Sequence, residues 1–114
     1  MGPYSPAVLA GDFLFVSGQI AIGPDGELHS ASAAEQARLA LKNLVRVLRA
    51  AGCGPEDLVK VTIYLSDMGD FPAVNEVYSG FFKDPYPARA TVEVGALPKG
   101  AKVEIEAIAY LGGG

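Results

Sequence analysis

The sequence predicts an α+β fold in which two helices pack on one face of a mixed six-stranded sheet. Three observations lead there. The hydrophobic period switches between two and about 3.6 along the chain, giving the order ββ(β)αβαββ. Turn residues stand between the periodic runs. A chain of 114 residues, 50% of them hydrophobic, suits one core, so residues 1–114 are read as a single domain.

Ala7–Ala10 and Phe13–Ser17 read as strands joined by Gly11-Asp12, a two-residue hairpin turn. Gln19–Ile22 is expected to carry the strand past a bulge at Gly18, up to the turn Gly23-Pro24-Asp25-Gly26. Ser32-Ala33-Ala34-Glu35 has the form of a capping box. It opens a helix over about 33–51, with Ala37, Leu41, Leu44, Val45 and Leu48 on one face and Arg38, Lys42, Arg46 and Arg49 on the other, and Gly52 stops it.

Leu58–Ser66 alternates, placing Val59, Val61, Ile63 and Leu65 inward and Lys60, Thr62 and Tyr64 outward. Asp70 and Pro72 announce a second helix with the stripe Phe71, Val74, Tyr78, Phe81 and Phe82 and with Asn75 at its edge. Two alternating runs, Ala88–Ala96 and Lys102–Tyr110, are expected to pair as an antiparallel hairpin. That pairing sets Ala90, Val92, Val94, Val103, Ile105 and Ala107 toward the helices. Arg89, Thr91, Glu93, Glu104, Glu106, Ile108 and Tyr110 then share the opposite face, which is too apolar to stay wet and implies a covering copy of the chain. The glycine tail, 112–114, is expected to fray.

Thirteen acidic against nine basic side chains give a net charge of −4, and the pI near 4.8 argues against nucleic acid as the main partner. There is one cysteine, Cys53, and one histidine, His29, so no internal disulfide or zinc-type cluster is available. A metal-free cytoplasmic protein with neither signal peptide nor membrane span is the reading that follows. Cys53, between two glycines, reads as inert, and His29 as a solvated loop residue.

Arg89 stands out as a cation within a strand run. Its fork of donors suits a carboxylate ligand, and pairing with Glu93, Glu104 or Glu106 is the structural alternative. Glu104 is either a solvated strand residue or a general base. Ser17-Gly18-Gln19 is either a bulge or a turn offering backbone donors. Tyr4, in an extended Gly-Pro-Tyr-Ser-Pro segment, either walls a pocket or pins the terminus.

Several spaced motifs carry a resemblance: Gly2-Pro3-Tyr4-Ser5, Phe15-Val16-Ser17-Gly18-Gln19-Ile20, Asn43-Leu44, Asp70-Phe71 with Val74-Asn75-Glu76-Val77-Tyr78, Pro87-Ala88-Arg89-Ala90-Thr91-Val92-Glu93-Val94, Leu97-Pro98-Lys99-Gly100 and Val103-Glu104-Ile105-Glu106-Ala107-Ile108-Ala109. In this order they resemble the Rid (YjgF-type) family over essentially the whole chain. The resemblance implies a chorismate-mutase-like fold and a homotrimer with ligand clefts between subunits. It also implies cofactor-free hydrolysis of enamine/imine intermediates, such as 2-aminoacrylate/2-iminopropanoate, to 2-oxo acids and ammonia.

Position by position, the resemblance makes Arg89 the carboxylate clamp and Glu104 the acid near the attacking water. Tyr4, Ser17 and Asn75 become pocket residues, and Gly18 a backbone position beside the pocket. Thr91 stands where many relatives have cysteine, and its hydroxyl is expected to hold a water. Two other functions remain open: a non-catalytic regulator that binds 2-oxo acids, and an endoribonuclease, against which the acidic composition counts.

Overall fold

β3, Leu58–Leu65, turns one wholly apolar face to the core: Leu58, Val61, Ile63 and Leu65 are all buried. The computed structural model describes residues 3–29 and 32–112. Gly2 of the Gly-Pro-Tyr motif and the last two residues of the glycine tail lie outside that range. The preceding elements are β1 (Ala7–Ala10), β2 (Phe13–Gln19) and helix α1 (Ala33–Ala50). Helix α2 (Phe71–Phe81), β4 (Ala88–Glu93) and β5 (Val103–Tyr110) follow. Among the described residues the sheet has five strands in the order β1-β2-β5-β3-β4.

The first hairpin forms as expected, with Ala10 opposite Phe13 and Gly11 at φ +60. In α1, Ser32 caps the helix by accepting from the Glu35 amide at 3.1 Å. Leu41, Leu44 and Leu48 are fully buried against the sheet, whereas Val45 is only half-buried. Gln36 is buried with them, and its Oε1 accepts from the Lys102 amide at 2.8 Å. A core glutamine thus fixes the start of β5. Among the described residues, no helix is long and apolar enough to cross a membrane, and no group of three His, Cys, Asp or Glu side chains could hold a metal.

The expected sixth strand does not form. β2 ends at Gln19 after a register shift against β5, and the following segment keeps only an isolated bridge between Ile22 and Leu28. The reason is that its carbonyls are already engaged. Asn43 Nδ2, on α1, donates to the oxygens of both Ile20 and Ile22 at 2.9 Å. A helix side chain replaces a strand neighbour.

The expected β4–β5 hairpin is also corrected. β4 runs parallel to β3, while β5 pairs antiparallel with β3 on its other edge and with β2. The connection is too long for a tight turn and wraps around the end of β3: the Val94 amide donates to Leu65 O, and the Ser66 amide donates to Lys102 O. A parallel β3–α2–β4 crossover, with the helix as its connection, results.

This pairing inverts the predicted parity of β4. Arg89, Thr91 and Glu93 stand opposite Val61, Ile63 and Leu65, on the helix-covered side. Ala90 and Val92 face the other way, beside Thr62 and Tyr64. In β5 the expected parity is observed, with Val103, Ile105 and Ala107 buried. Val59 is exposed, contrary to expectation, because the β3–β5 register slips between Leu58 and Lys60 and sends Leu58 inward instead.

Asn43 offers a direct test of the loop account. Asn43→Ala removes a donor from both carbonyls, leaving Ile20 O only the Ile22 amide at 2.8 Å and Ile22 O without the bond from Asn43, and should lower stability by about 1–3 kcal/mol. Urea unfolding should show this as a lower midpoint at unchanged slope.

Candidate functional site

Two groups of side chains form, on opposite faces of the sheet. The first is built around Arg89. The i, i+4, i+7 spacing of Phe71, Asn75 and Tyr78 puts them along one side of α2, and β4 delivers Arg89 to that side. Arg89 Nη1 donates to Asn75 Oδ1 at 2.6 Å, and the guanidinium carbon lies over the rings of Tyr78 and Phe71, 4.8 and 5.5 Å from their centroids. A cleft of about 380 Å3 opens beside it, lined by Asn75, Tyr78, Ser79, Tyr86, Pro87 and Arg89.

No carboxylate lies within ion-pair distance of Arg89 among the described residues, so the alternative of an internal pair with Glu93, Glu104 or Glu106 is not what forms. Glu93 is engaged elsewhere, accepting from the Met68 amide at 2.6 Å. Thr91, two residues along the same face as Arg89, has a buried hydroxyl that meets no hydrogen-bond partner among the described residues.

The second group gathers where β2 ends against β5. Glu104 projects from the open face and lies directly over Gly18. A Cβ placed at Gly18 would stand 2.7 Å from the Glu104 carboxyl carbon and closer still to Oε2. Ser17 Oγ donates to Ser5 O at 2.6 Å, and the Ser17 amide donates to Pro6 O at 2.9 Å, which ties the N-terminal segment to the end of β2. Tyr4, 64% exposed, joins Gly18, Gln19, Ile20, Ile22 and Asn43 around a cavity of about 270 Å3.

Burial pushes the Glu104 carboxyl above the ordinary glutamate range, and the charge of Glu106 adds to the effect. Glu106 accepts a hydrogen bond from the Tyr64 hydroxyl, and with burial this drives the Tyr64 pKa up to about 12. A carboxylate disfavoured by its surroundings is a stronger base than a solvated one.

Asn75 and Arg89 are therefore brought together, with Thr91 on the same face. Gly18 lies under Glu104 and shares a cavity with Tyr4, while Ser17 is tied to the segment that carries Tyr4. The two groups do not meet within one chain: β3 stands between the strands of Arg89 and Glu104, a separation of about 10 Å in the sheet, and the side chains leave it on opposite faces. Sequence reasoning put them on one face because it paired β4 with β5. It also passed over Phe71 and Tyr78 as core alone, although their spacing with Asn75 was the available signal. Cys53 is buried with its Sγ 3.4 Å from Leu48 O, and burial raises its pKa, as suits an inert thiol. His29 is exposed and meets Asp25 at 3.0 Å.

The described residues define a two-helix, five-strand α+β protein with a cationic and an acidic group of side chains on opposite faces of its sheet. The family model described as endoribonuclease L-PSP matches residues 1–111, and the chain belongs to that family, the Rid or YjgF-type family its motifs resemble. It is 59% identical over 112 residues to the RutC family protein y4sK of Sinorhizobium fredii, covering 97% of this chain and 89% of that one. It is 50% identical over 113 residues to the Homo sapiens 2-iminobutanoate/2-iminopropanoate deaminase, covering 98% and 82%. Among solved structures it is similar to E. coli TdcF with bound serine, at 44% identity and a TM-score of 0.89, covering 96% and 89%.

The acidic half-site can be tested by titration. The carboxyl carbon of Glu104, followed by NMR, should titrate above the ordinary glutamate range. In Glu106→Gln its midpoint should fall, because a neighbouring negative charge is gone, yet stay elevated because burial is the larger cause. A Glu104 midpoint in the ordinary range contradicts the described environment.

Proposed function

We propose that this protein hydrolyses reactive enamine/imine intermediates, such as 2-iminopropanoate formed by tautomerisation of 2-aminoacrylate, to 2-oxo acids and ammonia. The observation that carries the reading is the state of Arg89. One of its donors is committed to an amide oxygen, two ring faces hold it, and no acidic side chain among the described residues neutralises it. Such a guanidinium suits a ligand carboxylate, which its planar fork can bind in bidentate fashion. The 2-iminobutanoate/2-iminopropanoate deaminase relative supports the same substrate class, and the serine held by TdcF is a small amino acid of matching size.

In this reading a complete site joins the Arg89 group of one copy to the Glu104 group of another, in a homotrimer with clefts between subunits. The open sheet face supports such assembly. Val8, Phe13, Phe15, Val92 and Tyr110 are exposed on it, and a cluster of exposed apolar side chains on one face is the kind of surface a partner covers.

Arg89 orients the substrate by its carboxylate, with Asn75 holding the guanidinium. Glu104, kept basic by burial and poised over Gly18, takes a proton from water as the oxygen bonds to the imine carbon C2. Tyr4 and Ser17 wall the cleft, and the buried Thr91 hydroxyl serves as a water-holding group. The C=N π pair passes to nitrogen, which takes the water proton from Glu104 to give a neutral tetrahedral adduct, and Glu104 then carries the adduct's hydroxyl proton to the amino nitrogen so that the C–N bond breaks. The C2 carbonyl forms and ammonia leaves, restoring the carboxylate. Every atom comes from substrate and water, so the reaction needs no cofactor.

Ammonia release from imine generated in situ by a dehydratase tests this reading and separates it from 2-oxo-acid binding without turnover. Arg89→Ala should abolish most turnover while leaving a folded oligomer, and Arg89→Lys should rescue little because a point charge loses the bidentate geometry. Glu104→Gln should lower kcat by roughly 10²-fold or more while a 2-oxo acid still binds. Wild-type turnover in either Arg89→Ala or Glu104→Gln removes the corresponding role.

The assembly has its own test. Sedimentation should give a trimer, and a concentration-independent monomer at micromolar levels contradicts the composite cleft.

A further inference from the structure

Phe71, Asn75 and Tyr78 all meet the same guanidinium, although only Asn75 offers it a hydrogen bond. The rings make a seat. Arg89 Cζ stands 4.8 Å from the Tyr78 centroid, well within the range in which a cation is attracted to the negative face of an aromatic ring, and 5.5 Å from that of Phe71.

Tyr78 is backed so that it cannot give way. It is 4% exposed, its ring packs against Phe82 at 4.6 Å, and Phe82 packs edge-on against Phe81 at 5.0 Å. Arg89 itself is exposed and sits on the edge strand β4, where no further strand restrains its long side chain. A flexible arginine must lose rotamer freedom when it binds a ligand, and a rigid seat removes part of that cost beforehand.

We propose that Tyr78 is a positioning residue for Arg89: its ring, assisted by Phe71, fixes the guanidinium so that the donors not engaged by Asn75 are presented to a ligand carboxylate. This rests on the reading of Arg89 as the carboxylate clamp. The face of the ring acts, and the hydroxyl does not. Buried without a partner among the described residues, that hydroxyl contributes nothing to the seat. Phenylalanine at this position would keep the ring and remove an orphaned donor.

The experiment measures the Kd of 2-oxobutanoate by calorimetry on the intact oligomer, alongside KM and kcat with imine generated in situ. Tyr78→Phe should bind within about twofold of wild type. Tyr78→Leu should bind roughly three- to tenfold more weakly, with KM rising and kcat at saturation nearly unchanged. Phe71→Leu should show a smaller loss of the same kind.

A folded Tyr78→Leu with wild-type Kd overturns the inference, as does Tyr78→Phe binding as weakly as Tyr78→Leu. If Tyr78→Leu does not fold, the half-buried Phe71 decides, and an unchanged Kd in Phe71→Leu overturns the seat. Arg89→Ala is the control that separates the two levels. Unaltered binding in Arg89→Ala defeats the clamp and the seat together, whereas loss there with none in Tyr78→Leu defeats the seat alone.

Discussion

β3 is hydrogen-bonded on both edges, to β5 antiparallel and to β4 parallel, and the placement of Arg89 and Thr91 relative to Glu104 follows from that arrangement. A parallel neighbour must arrive by a crossover, so the chain spends α2 between β3 and β4 and lays that helix over the strand it is about to form. The register then points Arg89 and Thr91 at α2 and leaves Glu104 and Glu106 on the open face. Had β4 and β5 formed a hairpin, Arg89 and Glu104 would have been neighbours on one face, free to neutralise each other. The crossover keeps them apart, and each retains the property a reaction can use: a cation that no carboxylate among the described residues pairs on one side, a carboxylate of raised basicity on the other.

Each half-site is held by interactions that begin in the core. Asn43 reaches from α1 to the carbonyls of Ile20 and Ile22 and shapes the cavity beside Gly18, while Gln36 anchors the start of β5 just before Glu104. Gly18 supplies room, since any side chain there would displace the Glu104 carboxylate from its place over the backbone. On the other side, the Tyr78–Phe82–Phe81 ring cluster links the seat of Arg89 to the hydrophobic core.

Much of this was legible in the sequence, and the parts that were not have a common cause. Local periodicity located both helices, the first hairpin and the inward parity of β3 and β5, because each is set by which residues one element buries. Strand partners depend on contacts distant in sequence, and alternation in Ala88–Val94 fits pairing with β5 or with β3 equally well. The error moved Arg89 to the wrong face. The bulge that exposes Val59 and the loop that ends β2 at Gln19 were hidden for a related reason: one depends on cross-strand register and the other on a helix side chain. The motifs named Arg89, Glu104, Asn75 and Gly18, but Tyr78 and Phe71 read as ordinary core residues until β4 was known to lie beneath them.

The central claim is that one chain carries two half-sites and that a working site joins Arg89 of one copy to Glu104 of another. Mixing two disabled proteins tests it most directly. In the proposed homotrimer, Arg89→Ala and Glu104→Gln proteins unfolded together and refolded at equal amounts should give mixed trimers in which some clefts receive both wild-type groups from different subunits. With random assembly, roughly a quarter of the clefts are intact, so imine hydrolysis should return to about that fraction of wild type. Mixed trimers verified by mass spectrometry that remain as inactive as either parent would contradict the account.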